Sequence, residues 1–170
     1  MGSISSGYRA LLTADDHAAR AARLVWDGEY SQANAMTNWI GSDVSALITA
    51  RIKLRQSARD ADAAYSRVPS RLENDAGLLF DRARWLRKRD RDAEARPLLI
   101  RAAQSQDGQP PAVEEWWTER HYQAREALDA GSPQQAYQLV AGHDLRKDAG
   151  VPYAEAEFLS GWIALRFLNK

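Results

Sequence analysis

The chain has 170 residues, enough for one domain of ordinary size that buries roughly two-thirds of its unfolded surface. Its 23 basic and 23 acidic side chains cancel, so no global field draws it toward nucleic acid or an acidic membrane. It has no cysteine, which excludes disulfides, thiolate metal sites and thiol nucleophiles.

Residues 1–7 have neither the charged start nor the apolar stretch of a signal peptide. Met1-Gly2-Ser3 reads as an expression scar, leaving 8–170 as a single domain. No apolar run is long enough to span a bilayer. Proline and glycine are few, β-branched runs are missing and helix formers dominate, so the chain reads as all-α.

Thr13 and Asp16 have capping-box spacing for a first helix over 14–27, which Gly28 ends. A second helix is expected from Glu29 to Ile40, and a third over 43–56 with Gly41 and Ser42 supplying its cap. From there a six-residue frame marks each passage from one helix to the next: a turn residue, four others, then a small alanine. The frames start at Gly28, Arg59, Asp90 and Gly131 and end at Ala33, Ala64, Ala95 and Ala136. A residue tolerant of positive φ closes one helix, and a methyl-sized side chain lets the next lie close against it. Such recurrence predicts an α-solenoid of irregular helical hairpins, about nine to ten helices in all.

Pro97 lies deep in the third unit and should make that helix start late or kink. Residues 105–111, polar with one glycine and two prolines, read as a surface loop. A helix over 113–130 follows, with Trp117, His121, Ala124 and Leu128 on one face. In the last frame Ser132 can cap, Pro133 falls at the first helical position, and Gln135 completes a capping box. Residues 142–152 link to a final helix that is apolar on nearly every side between Tyr153 and Leu168. Such a helix is normally sandwiched between neighbours. The expectation is a piece of a longer helical array, with self-association between Phe158 and Leu168 as the other way to cover it.

The turn Gly28-Glu29-Tyr30-Ser31-Gln32-Ala33 is similar to the tetratricopeptide pattern. Three longer segments are more specific: one over 75–88 containing Phe80-Asp81-Arg82-Ala83-Arg84-Trp85, one over 115–128 containing Trp116-Trp117-Thr118-Glu119-Arg120-His121, and one over 154–168 containing Phe158-Leu159-Ser160-Gly161-Trp162. In this order they resemble the N-terminal α-superhelical region of soluble lytic murein transglycosylases of proteobacterial type, over residues 8–170. The resemblance implies a U-shaped, non-catalytic arm that orients a periplasmic enzyme on peptidoglycan glycan strands. In that family a separate C-terminal lysozyme-like domain cleaves MurNAc–GlcNAc β-1,4 bonds and leaves 1,6-anhydro-muramyl ends. The family's catalytic acid stands in a Glu-Ser pair, and none of the nine glutamates here precedes a serine. No catalytic residue carries over.

The residues themselves supply little chemistry. Glu114 and Glu115 open a helix, where negative charge complements the dipole, and Glu155 and Glu157 point about 200° apart around another. His17, His121 and His143 lack ligand spacing, no glycine-rich phosphate loop occurs, and no cofactor or metal is expected. Of six tryptophans, Trp26, Trp85, Trp117 and Trp162 fall on apolar stripes and read as core. Trp39 and Trp116 stay as candidate sugar-stacking faces. Arg82 and Arg84 head a basic run through Arg91, which reads as a solvated face or as a contact for an acidic partner. The rival to the transglycosylase reading is a tetratricopeptide-like adaptor that holds a partner peptide in its groove.

Overall fold

The structure is a computed structural model that describes residues 13–104 and 112–169. The expected scar at 1–7, the domain start at 8–12 and the surface loop at 105–111 lie outside those residues. Nine α-helices and no strand occur among the described residues, which bears out the all-α expectation and the helix number. The chain divides into two compact units, one ending at Glu73 and one beginning at Asn74.

The first unit has helices α1 (Ala14–Trp26), α2 (Tyr30–Met36), α3 (Ser42–Arg55) and α4 (Ala61–Tyr65). Short 3-10 turns follow α2 at Thr37–Trp39 and α4 at Ser70–Leu72. Helix α1 packs on α2 and α3 on α4, and the core between them is Ala21, Val25, Ala33, Ile48 and Ile52. Alanines at 21 and 33 let the α1 and α2 backbones approach closely, while Val25, Ile48 and Ile52 supply the apolar area. Trp26 lies beneath the guanidinium groups of Arg55 and Arg51, at 4.3 and 5.1 Å from the ring centre.

The second unit has α5 (Ala76–Arg87), α6 (Asp92–Gln104), α7 (Val113–Asp129), α8 (Pro133–Val140) and α9 (Val151–Ile163). A 3-10 turn, Lys147–Ala149, precedes α9, and a wider π turn, Ala164–Leu168, continues it. Helices α5 with α6 and α7 with α8 form hairpins. Their core is built from Leu78, Leu79, Phe80 and Ala83 of α5, Leu99 and Ala102 of α6, Trp116 and Ala124 of α7, and Leu139 and Val140 of α8.

Four helix ends close in the same way. The residues at the turn, Gly28, Ser57, Asp90 and Gly131, all have positive φ of 53–78°. In each case the next amide donates back to a carbonyl five residues earlier: Glu29 to Leu24, Ala58 to Lys53, Arg91 to Leu86 and Ser132 to Ala127. This is the Schellman closure, which satisfies carbonyls that the helix end would leave bare. The predicted frames at Gly28, Asp90 and Gly131 hold, and Ala33, Ala95 and Ala136 five residues on are fully buried. The second frame is displaced: the left-handed residue is Ser57, not Arg59, because Gln56 already ends α3. Two residues more then separate the turn from Ala64.

Other boundaries differ from expectation for local reasons. Thr13 and Asp16 form the full capping box. Ser132 precedes α8, but its side chain makes no cap bond; Pro133 alone fixes that start. At α3 the cap position is Gly41, and the Ser42 hydroxyl donates to Asp43 instead. Helix α6 begins at Asp92, five residues ahead of Pro97, so the proline sits inside the helix and does not delay it.

The final helix presents one narrow face inward, with Ala156 and Ile163 fully buried. Trp162, expected in the core, is 41% exposed, since it stands away from that inward face.

Two stability predictions follow from the helix ends. A Cβ added at Gly28 would meet nothing within 4 Å, so Gly28→Ala should cost about 1 kcal/mol through backbone strain alone, and Ser57→Gly should gain about 0.5 kcal/mol; urea unfolding of both variants measures this. At the first cap, the backbone amide of Thr13 and then its hydroxyl donate to the Asp16 carboxylate, each at 2.8 Å, and hold its pKa below the ordinary 3.8. A depressed folded pKa means that the cap contributes above 3.8 and is lost as pH falls through the lower folded value. Amide protection over the first turn of α1, relative to the intrinsic exchange rate at each pH, should fall on that acid titration, and Asp16→Asn should remove that fall.

Candidate functional site

The residues singled out in the sequence separate into packing and surface. Trp116 is 1% exposed and tilts against Phe80 with ring centres 4.4 Å apart. It is a core residue and offers no face to a sugar, which corrects the expectation for that position. Trp39 is 45% exposed in the turn after α2, leaning on His17 at 5.4 Å.

Arg84 and Arg82 both work inside their own unit. Arg84 donates to Glu115 at 2.7 Å and lies 4.0 Å from Glu119. Arg82 and Arg89 lie over the ring of buried Trp85, at 4.3 and 3.8 Å from its centre, where the cations gain from the ring quadrupole. The basic run is therefore mostly a set of internal partners and only partly a solvated face.

The junction between α5 and α7 centres on Glu119, which is 3% exposed. Arg87 donates through Nε to both of its oxygens, at 2.8 and 3.0 Å. Burial works against the Arg87 charge, but the hydrogen bond and charge of Glu119 outweigh it and raise the guanidinium pKa. Nearby, buried Gln123 donates to Asp92 at the start of α6, at 2.6 Å. Arg120 is also buried; burial lowers its pKa, and Asp144 at 3.6 Å opposes that shift.

Between α7 and α9 runs a groove of two adjoining hollows, each about 530 Å³. His121, Arg125, Asp129 and Glu155 line both. Trp117, Tyr122 and Glu126 are among the other residues of the first, and Leu128, Phe158 and Trp162 among those of the second. The His121 ring stacks on Trp117, 5.1 Å apart and inclined by 4°. Burial first, then the charges of Asp92 and Glu126, raises the Tyr122 pKa above 10.0, so at neutral pH its phenol is a neutral hydrogen-bond donor.

His143 fastens the groove's far wall. The Leu145 amide donates to its Nδ1 at 3.1 Å, so in the neutral ring the proton is on Nε2, which donates to Glu157 of α9 at 3.1 Å. Tyr153 packs edge-on against the same ring at 5.6 Å.

Sequence reasoning missed Arg125, Tyr122 and Glu155 as groove residues. The signal was present as the four-residue row Trp117, His121, Arg125 and Asp129, which a helix sets on one side. No three His, Asp or Glu side chains among the described residues are grouped to hold a metal ion, and no helix among them is long and apolar enough to cross a membrane. Comparison with known protein families, with curated proteins and with solved structures finds no match to this chain.

Because Glu119 is almost fully enclosed, Glu119→Gln should leave Arg87 and Arg84 under-compensated and destabilise the second unit by about 3 kcal/mol. The exposed pair Arg91 and Glu94, 2.7 Å apart, should lose far less on Glu94→Gln, since solvent screens it. Thermal unfolding of the two variants side by side checks the contrast.

Proposed function

We propose that this chain is a non-catalytic helical scaffold of the kind carried by soluble lytic transglycosylases, shaping and orienting such an enzyme on peptidoglycan glycan strands in the periplasm. The cutting glutamate and the cleavage of MurNAc–GlcNAc bonds would belong to a lysozyme-like domain outside these residues. One observation carries the reading: the three segments of the resemblance fall in α5, α7 and α9 of a single unit, and distinctive residues of the first two join α5 to α7. Phe80 meets Trp116, Arg84 meets Glu115 and Arg87 meets Glu119 across the α5–α7 junction. A scaffold that holds its shape needs such fixed pairs more than it needs a reactive group.

For glycan contact, the first hollow is better suited than Trp116. The exposed Tyr122 stands beside Arg125, Glu126 and Asp129, and flat aromatic faces next to planar charged groups suit the C–H and hydroxyl surfaces of a pyranose. Trp39 remains a second exposed aromatic. The arrangement of hairpins as a solenoid, and self-association through the outer face of α9, belong to the same proposal. The adaptor reading draws on the four like helix closures, which also suit a peptide-holding array.

Purified sacculi incubated with the chain should retain it weakly, and Tyr122→Ala with Arg125→Ala should reduce that retention several-fold. Release of anhydro-muropeptides by this chain alone would overturn the non-catalytic assignment. Recovery of a single stoichiometric protein partner, with no retention on sacculi, would favour the adaptor.

A further inference from the structure

The outward face of α9 and of the π turn that continues it carries a large apolar residue at every seventh position. Val151, Phe158 and Leu165 are 70, 72 and 74% exposed, while Ala156 and Ile163, on the opposite side of the same helix, are fully buried. Between the large residues stand Ala154 and Gly161, both exposed. The alternation of knobs at 151, 158 and 165 with small residues at 154 and 161 is the spacing of a two-helix seam.

No close approach among the described residues calls for a glycine at 161. It lies mid-helix, where glycine is unfavourable, yet a Cβ there would meet nothing within 4 Å. A missing side chain on an outward face allows another backbone to approach closely. Charge then selects the occupant. Glu155 and Arg166, both exposed, flank the stripe at nearly equal distances on either side of Gly161, and neither has an ion-pair partner among the described residues.

We infer that α9 pairs with α9 of a second copy of this chain, antiparallel, about a two-fold axis at Gly161. Phe158 of each copy fills the hollow left by Gly161 of the other, and Glu155 of each meets Arg166 of the other, twice by symmetry. A parallel pair would set the acidic ends of both helices together and the basic ends together, so like charges oppose it. With only about three turns of helix per copy, the dimer should dissociate in roughly the micromolar range. This inference rests on the self-association proposed above and gives it a geometry.

The absence of cysteine makes the test direct. Sedimentation of the full chain should show a concentration-dependent dimer. On mild oxidation Gly161→Cys should cross-link to itself, whereas Val151→Cys should not, because in the antiparallel pair its two copies stand about 30 Å apart. Glu155→Arg should weaken the dimer roughly tenfold, and adding Arg166→Glu should restore it, with helix content by circular dichroism unchanged throughout. A monomer at every concentration, equal cross-linking at 151 and 161, or failure of the double charge swap would each overturn the antiparallel pair. Tyr122→Ala and Arg125→Ala, both on α7, should lower retention on sacculi and leave the dimer unchanged, so failure of the pair and failure of glycan contact are read separately.

Discussion

Every hairpin in both units depends on a single backbone device: one residue in the left-handed region that turns the chain back and returns its next amide to a carbonyl five residues earlier. The device is local, closing carbonyls that would otherwise need water, and it fixes where the following helix can begin. Glycine supplies it twice, at 28 and 131; serine and aspartate supply it at 57 and 90. The α1–α2, α5–α6 and α7–α8 hairpins then bring a fully buried alanine against the preceding helix, so close packing follows from the turn.

The second unit adds a polar layer to that scheme. Helices α5 and α7 are separated by α6 in sequence yet joined by Phe80 on Trp116 and by arginines on Glu115 and Glu119. Arginine fits here because its planar fork can hold a carboxylate from one side while its face or stem covers an aromatic ring. Arg87 does both, with Glu119 at one edge and the Tyr122 ring 5.0 Å from its centre. A net charge of zero thus conceals a strongly ordered arrangement of charge.

Local features were legible in the sequence. The Thr13–Asp16 box, Gly28, Gly131, Pro133 and the buried alanines all express short-range backbone chemistry, and the one misplaced turn, Arg59 for Ser57, arose because serine carries no strong left-handed preference. Side-chain fate across helices was less legible. Trp162 read as core and Trp116 as a candidate surface face, yet the first is open and the second enclosed, because burial depends on which neighbour covers a face. The groove was half visible: the face bearing Trp117, His121 and Leu128 was marked, but Arg125 and Glu155 acquire meaning only when α7 and α9 lie side by side. Of the arginines after α5, the sequence showed a basic run and could not show that Glu115 and Glu119, some thirty residues on, take two of them.

Pro97 leaves the Ala93 carbonyl without its usual amide donor four residues on, so the opening turn of α6 is tied to the rest of its helix by fewer bonds than its neighbours. That turn would be the natural place for the hairpin to breathe. Asp92, at its head, is held instead from outside by the enclosed amide of Gln123. Breathing there must first strip a buried carboxamide of its acceptor, so a weak spot in one helix becomes a latch on another, and the two are expected to open together.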